Sequence, residues 1–237
     1  MAVRKRHILA IGGLLPADGN RPLLQYLLGL AGKPGPAIGM ISAATGDALS
    51  TIQRFDELFD SLDCRVSHLG FFDRTCDLNE YVASQDVILV GGGNTKSMLG
   101  VWREWELPRL LRKAWRRGTV LAGWSAGAIC WFEQGLTDSF ADRLRPLDCL
   151  GFLPGSCCPH YDGEIDRRPA FQELIRKKLL KPGIAIEDGS AVEFQDRRIS
   201  RVIARTGQVG AWSVRPARAA RHGDVIEQPL KAPRIEL

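Results

Sequence analysis

A serine between two glycines, in Gly123-Trp124-Ser125-Ala126-Gly127, has the G-x-S-x-G spacing of a serine nucleophile. An apolar run, residues 119–123, leads in, and a helical pattern, residues 126–132, leads out. A sharp strand-to-helix turn lifts a serine hydroxyl clear of its sheet, and crowding there demands small flanking residues. Gly123, Ala126 and Gly127 meet that demand. The outgoing helix also aims N–H groups at an oxygen that turns negative during acyl transfer. A chance Gly-Ser-Gly turn is the alternative; the strand and helix around it favour the nucleophile.

A serine nucleophile needs a base, and a histidine base needs an acid to fix its tautomer. The chain has four histidines. His7 opens an apolar run, where a surface role suffices. His68 sits late in another run, and His222 lies in a basic tail. His160 follows the nucleophile in the polar loop Cys157-Cys158-Pro159-His160-Tyr161-Asp162-Gly163. Functional side chains gather in such loops at one end of a parallel sheet, so His160 is the candidate base, against the plainer reading of an exposed loop histidine. Glu187 and Asp188 end the apolar run 183–186, where either can orient His160 or simply form a solvated turn. Asp138 is a rival acid. A second cluster, Gly91-Gly92-Gly93-Asn94-Thr95, follows the run 86–90. It lacks G-x-G-x-x-G spacing and the lysine of a phosphate loop. Its glycines allow close approach to a substrate, and an N–H of Gly92 or Gly93 can complete an oxyanion hole. Asn94 and Thr95 are candidate substrate contacts, or caps of the next helix.

The elements that must position these groups alternate. Residues 7–12, 37–42, 65–70, 87–90 and 119–123 read as strands, and residues 21–32, 46–62, 95–103 and 107–117 have helical spacing. This alternation predicts an α/β fold, a parallel sheet with helices on both faces. Residues 135–159 read as loop-rich, 167–180 as a helix, and 184–186, 191–194 and 198–203 as later strands. From about residue 216 the chain reads as an irregular basic tail or an edge strand. No repeat, low-complexity tract or linker divides residues 1–237, which read as a single domain.

In this order, the glycine cluster at 91–95, the Gly123–Gly127 motif with Ala128, Pro159-His160 and the acid-Gly turn Asp188-Gly189 resemble the peptidase E family. Its members are serine dipeptidases that cleave after an N-terminal aspartate, and cyanophycinase is a relative. The resemblance runs from the first strand to about Phe194. It implies a three-layer, flavodoxin-like doubly wound fold similar to class I glutamine amidotransferases, with serine in place of their cysteine. It further implies Ser125 as nucleophile and His160 as base, with Asp188 as third member where better-known members carry Glu; Glu187 is one residue away. The oxyanion hole would combine the N–H of Ala126 with that of Gly92 or Gly93. The arginine that reads the substrate aspartate matches Arg167, with Arg168 adjacent, and a guanidinium suits a carboxylate. One departure is the acidic loop Asp162, Glu164 and Asp166 beside Arg167, which bears on the aspartate preference.

The expected chemistry is therefore hydrolysis of small acidic peptides through an acyl-enzyme, with no metal or cofactor. An α/β-hydrolase esterase runs Ser, acid, His along the chain and would need His222 as base. A binding protein on a decayed site is the non-enzymatic alternative. Composition narrows the rest. At 45% hydrophobic and 25% charged, the 237 residues suit a globular chain rather than a disordered one. No apolar run approaches the roughly 18 residues of a membrane span. A net charge of +5, spread out except at residues 112–117 and the tail, is too thin for nucleic-acid binding. The chain is expected to be cytoplasmic, as a monomer or homodimer, and in that compartment its six cysteines without C-x-x-C spacing are expected to be reduced and partly buried. Trp102 and Trp105 are candidates for an interface or, more simply, for packing on the sheet.

Overall fold

Runs of Val, Ile, Leu and Ala form the central strands because both of their faces are covered. The computed structural model describes residues 5–217 and 224–237, so His222 lies outside the described residues. Strands β1 (His7–Ile11), β2 (Ala37–Ile41), β3 (Arg65–Leu69), β4 (Val87–Val90) and β5 (Val120–Trp124) pair in parallel in the order β1-β5-β4-β2-β3. Helices α1 (Arg21–Gly29) and α2 (Leu49–Phe59) cover one face, burying Leu23, Leu27, Phe55 and Phe59 against Leu9 and Leu89. A short α3 (Leu78–Ser84), capped by Asp77, was not evident from the sequence. It joins α4 (Thr95–Glu104) and α5 (Leu107–Arg117) on the other face, where Trp102, Leu111 and Trp115 meet Ile8, Ile88 and Leu121. Trp102 is fully buried, so it serves packing; Trp105 stays partly exposed against Phe71. No helix among the described residues is long and apolar enough to cross a membrane.

Two expectations change. The helix after Ser125, α6, is only Ala126–Ile129, because Phe132 already belongs to β6 (Phe132–Thr137). The segment 135–159 is not loop-rich: it completes β6 and forms β7 (Arg145–Asp148) and β8 (Leu153–Cys158). Pro146 on edge strand β7, and Pro154 and Gly155 in β8, hide this pattern, since proline and glycine read as breakers until the partner strand is known. After α7 (Arg167–Arg176) the chain returns to strands. Strands β9 (Gly183–Ile186), β12 (Ala211–Pro216) and β13 (Val225–Pro229) complete a second, six-stranded sheet with order β13-β12-β9-β8-β6-β7. Strands β10 (Ala191–Gln195), β11 (Arg198–Ala204) and β14 (Arg234–Glu236) extend the first sheet beyond β1, with β10 antiparallel to β1.

His7 is not a surface histidine. Its Nδ1 lies 2.8 Å from Glu193 of β10, whose fully buried carboxylate also accepts from Tyr26 at 2.7 Å and Arg201 at 3.1 Å. Burial pushes the Glu193 carboxyl up, but hydrogen bonds from His7, Tyr26 and Arg201 outweigh it and hold it at about 2. Folded-state depression below the ordinary value of roughly 4.3 contributes stability above that value, and the contribution is lost as pH falls towards 2. Glu193→Gln should therefore destabilise the protein by about 2 to 3 kcal/mol at pH 7. The gap to wild type should close between roughly pH 4.5 and 2. Urea unfolding of both proteins at pH 7 and pH 3 checks this; a gap that does not narrow at pH 3 contradicts it.

Candidate active site

The site forms where the two sheets meet. Ser125 ends β5 of the first sheet, His160 follows β8 of the second, and Asp188 lies on the crossing from β9 to β10. Ser125 has φ 53° and ψ −117°, a strained conformation for a residue with a Cβ and the one expected of a nucleophile elbow. Its N–H donates to the Ile11 carbonyl at 3.3 Å. The elbow packs closely: a Cβ on Gly127 would lie 2.2 Å from the Val90 carbonyl oxygen.

His160 also has positive φ, 53°, and its Nδ1 lies 2.7 Å from Asp188 Oδ1. Nε2 is left as the nitrogen that can take a proton. Asp188 is held in turn: its N–H donates to Asp162 at 2.8 Å, and Gly13 bridges to it after β1. A Cβ on Gly13 would sit 2.0 Å from Asp188 Oδ1 and 2.6 Å from the His160 ring. The Gly12-Gly13 pair is thus what lets the acid and base seat against β1. Glu187 faces the other way. Its carboxylate accepts from the Gly210 N–H and from Trp212 Nε1, both at 2.8 Å.

The strand β13 secures the residue after the base. Glu227 accepts from Tyr161 Oη, Arg168 and Gln172. Arg168 lies 5.4 Å from the Tyr161 ring centroid and 5.0 Å from that of Trp212. Burial, then the Glu227 hydrogen bond, pushes the Tyr161 hydroxyl well above its ordinary value, so it remains a donor.

Ser125 and His160 line one cleft of about 480 Å³. Leu14, Phe55, Leu58 and Trp124 form its apolar wall, and Thr45, Ser50 and Thr51 add hydroxyls. Gly92 also lines it, so close that an added Cβ would sit 3.1 Å from Ser125 Cβ. Among the described residues no protein acceptor takes the N–H of Gly92, Gly93 or Ala126. These donors are free for an oxyanion.

Three expected substrate contacts lie elsewhere. Asn94 caps α4, with Oδ1 accepting from the Ser97 N–H at 2.9 Å, and its Nδ2 reaches the Ser139 carbonyl. Thr95 is buried and bonded to Thr137. Arg167 is 1% exposed and does not line the cleft. Its guanidinium donates to Glu164 at 2.7 Å and the Leu136 carbonyl at 3.1 Å, and lies 3.5 Å from Asp138. The acidic loop supplies Glu164, and Asp138, the rival acid, pairs with Arg167 rather than with His160. The charged residue that does line the cleft beside His160 is Arg54 of α2, which sequence reasoning missed because an arginine in an ordinary amphipathic helix carries no signal of its own.

The chain is similar to known peptidases. The chain is 48% identical over 228 residues to YgaJ of Bacillus subtilis (strain 168), described as an uncharacterized peptidase, covering 95% of this chain and 97% of that one. It is 32% identical over 128 residues to peptidase E of Shewanella sp. (strain W3-18-1), a match covering 50% of this chain and 54% of that protein. The crystal structure of a peptidase from an acI-B1 Actinobacterium superposes with a TM-score of 0.69 at 16% identity, covering 97% and 96% of the two chains, which shows a shared fold. The model of Peptidase family S51 matches residues 8–202. The chain belongs to peptidase family S51, and its activity is that of a peptidase.

Proposed function

We propose that the protein is a serine peptidase that hydrolyses small peptides with an acidic N-terminal residue, through Ser125, His160 and Asp188. The observation that carries this reading is the 2.7 Å contact between His160 Nδ1 and Asp188, beside a cleft that His160 shares with the strained Ser125. Asp188 accepts from Nδ1–H and so keeps Nε2 unprotonated. Ser125 Oγ attacks the carbonyl carbon after the first residue while Nε2 takes the hydroxyl proton. The N–H groups of Ala126 and of Gly92 or Gly93 bind the oxyanion. Collapse breaks the C–N bond, and His160 returns the proton to the leaving amine. Water, activated by the same nitrogen, then hydrolyses the acyl-enzyme ester and restores Ser125. These protein groups suffice for the reaction. The preference for an acidic first residue follows from the resemblance to peptidase E.

The test is hydrolysis of Asp-Leu, Glu-Leu, Asn-Leu, Ala-Leu and Lys-Leu by the wild-type protein. Turnover of Asp-Leu well above the neutral and basic dipeptides is expected. Turnover of Ala-Leu or Lys-Leu instead keeps the triad and removes the acidic preference. No turnover of any of them refutes the reading.

A further inference from the structure

The cleft contains a cation that the triad does not use. Arg54 lines it, and among the described residues its guanidinium has neither a hydrogen bond nor an ion pair. Glu57, one turn on along α2, borders the neighbouring hollow with Arg54 but forms no ion pair with it. Among the described residues no Asp or Glu lines the cleft, and its ionisable side chains are Arg54 and His160. Arg167 is in the opposite condition, buried and already paired with Glu164, Asp138 and the Leu136 carbonyl.

We propose that Arg54, not Arg167, is the carboxylate anchor of this cleft, taking a carboxylate of the peptide substrate and so setting specificity. The inference rests on the peptidase reading above and adds the residue that binds the acid. A guanidinium presents a planar fork of donors that matches a carboxylate, and an unpaired one on this wall is open to a ligand's carboxylate. Thr51, one turn before Arg54 on α2, and Ser50 place hydroxyl groups on the same wall. Leu58 and Phe55 offer apolar surface to the rest of the peptide. The carboxylate has two sources in a dipeptide, the first side chain or the C-terminus, with the same chemistry.

Calorimetric binding separates them without turnover. The Ser125→Ala protein, with and without Arg54→Gln, is titrated with Asp-Leu, Asn-Leu, Asp-Leu amide and Asn-Leu amide. Arg54→Gln is expected to weaken Asp-Leu binding about 10-fold and to leave Asn-Leu amide, which has no carboxylate, unchanged. Weakening of Asp-Leu amide assigns the contact to the side chain; weakening of Asn-Leu assigns it to the C-terminus. Arg54→Lys should restore part of the affinity as a point charge without the fork. Arg54 is exposed and unpaired, so its variants should keep the wild-type Tm. Equal weakening of all four ligands, no weakening of Asp-Leu, or no binding of any carboxylate ligand overturns the proposal. If carboxylate-dependent binding appears but wild-type protein cleaves no dipeptide, the peptidase mechanism fails and the anchor stands. If dipeptides are cleaved but Arg54→Gln changes nothing, the mechanism stands and the anchor fails.

Discussion

Ser125→Ala removes peptide hydrolysis almost entirely, with an expected fall in kcat of roughly 10⁶-fold. Alanine keeps the small side chain that the elbow tolerates, so the fold should survive. The strained φ of 53° at Ser125 should be no harder for alanine than for serine. His160→Ala should fall by a similar factor. The double variant should be little worse than either single one, because the nucleophile without its base and the base without its nucleophile fail at the same step. The measurement is kcat on the best dipeptide of the panel, with labelling of Ser125 by a fluorophosphonate as a second readout. Wild-type protein should label at Ser125 and the His160→Ala protein should label far more slowly. A Ser125→Ala protein within 10-fold of wild type would mean that another group is the nucleophile.

The two adjacent carboxylates give the second large effect, and here the expected results diverge sharply. Asp188→Asn should lower kcat by about 10³- to 10⁴-fold with little change in KM. The amide can donate to Nδ1 where the carboxylate accepts, which leaves the proton on Nε2 and blocks the base. Glu187→Gln should change kcat by less than about 10-fold, since its carboxylate turns away to Gly210 and Trp212. It should instead cost about 1 to 3 kcal/mol of stability, because a buried charged acceptor of two hydrogen bonds is replaced by an amide that only partly serves them. Kinetics and urea unfolding on both variants separate the roles. Equal losses of kcat in two well-folded variants would contradict the assignment of Asp188 as the orienting acid.

Much of this site was legible in the residues. The strand, the elbow and the small flanks of Ser125 are all local, so a spacing of five residues carries them. His160 stood out because only four histidines exist and the others had plainer places, although His7 turned out to be tied to Glu193 rather than exposed. The central strands β1, β2, β4 and β5 and the helices α1, α2, α4 and α5 followed from alternation, because burial on two faces makes a strand a nearly continuous apolar run, while β3, at the sheet edge, carries Arg65, Ser67 and His68 among its apolar residues. The second sheet did not follow. Its strands carry Pro146, Pro154, Gly155 and the adjacent Cys157 and Cys158, and they became strands through partners far along the chain. The cap at Asn94 and the buried place of Thr95 were open alternatives that hydrogen bonding to Ser97 and Thr137 decided.

The sequence by itself determined the chemistry on offer: an elbow serine, a loop histidine, an acid pair at a strand end and a glycine turn with free N–H groups. Which carboxylate faces the histidine, and which arginine faces the cleft, only the tertiary structure decided. The reason is geometric. Glu187 and Asp188 are neighbours at the end of an extended strand, where successive side chains point to opposite sides, so one meets β12 and the other His160. Which side was which depended on β9 joining the second sheet while β10 joins the first, a long-range pairing that no local pattern encodes. Arg167 likewise lies at a helix start in the sequence, but packing of α7 against the second sheet buries it under Glu164 and Leu136, while α2 carries Arg54 to the cleft.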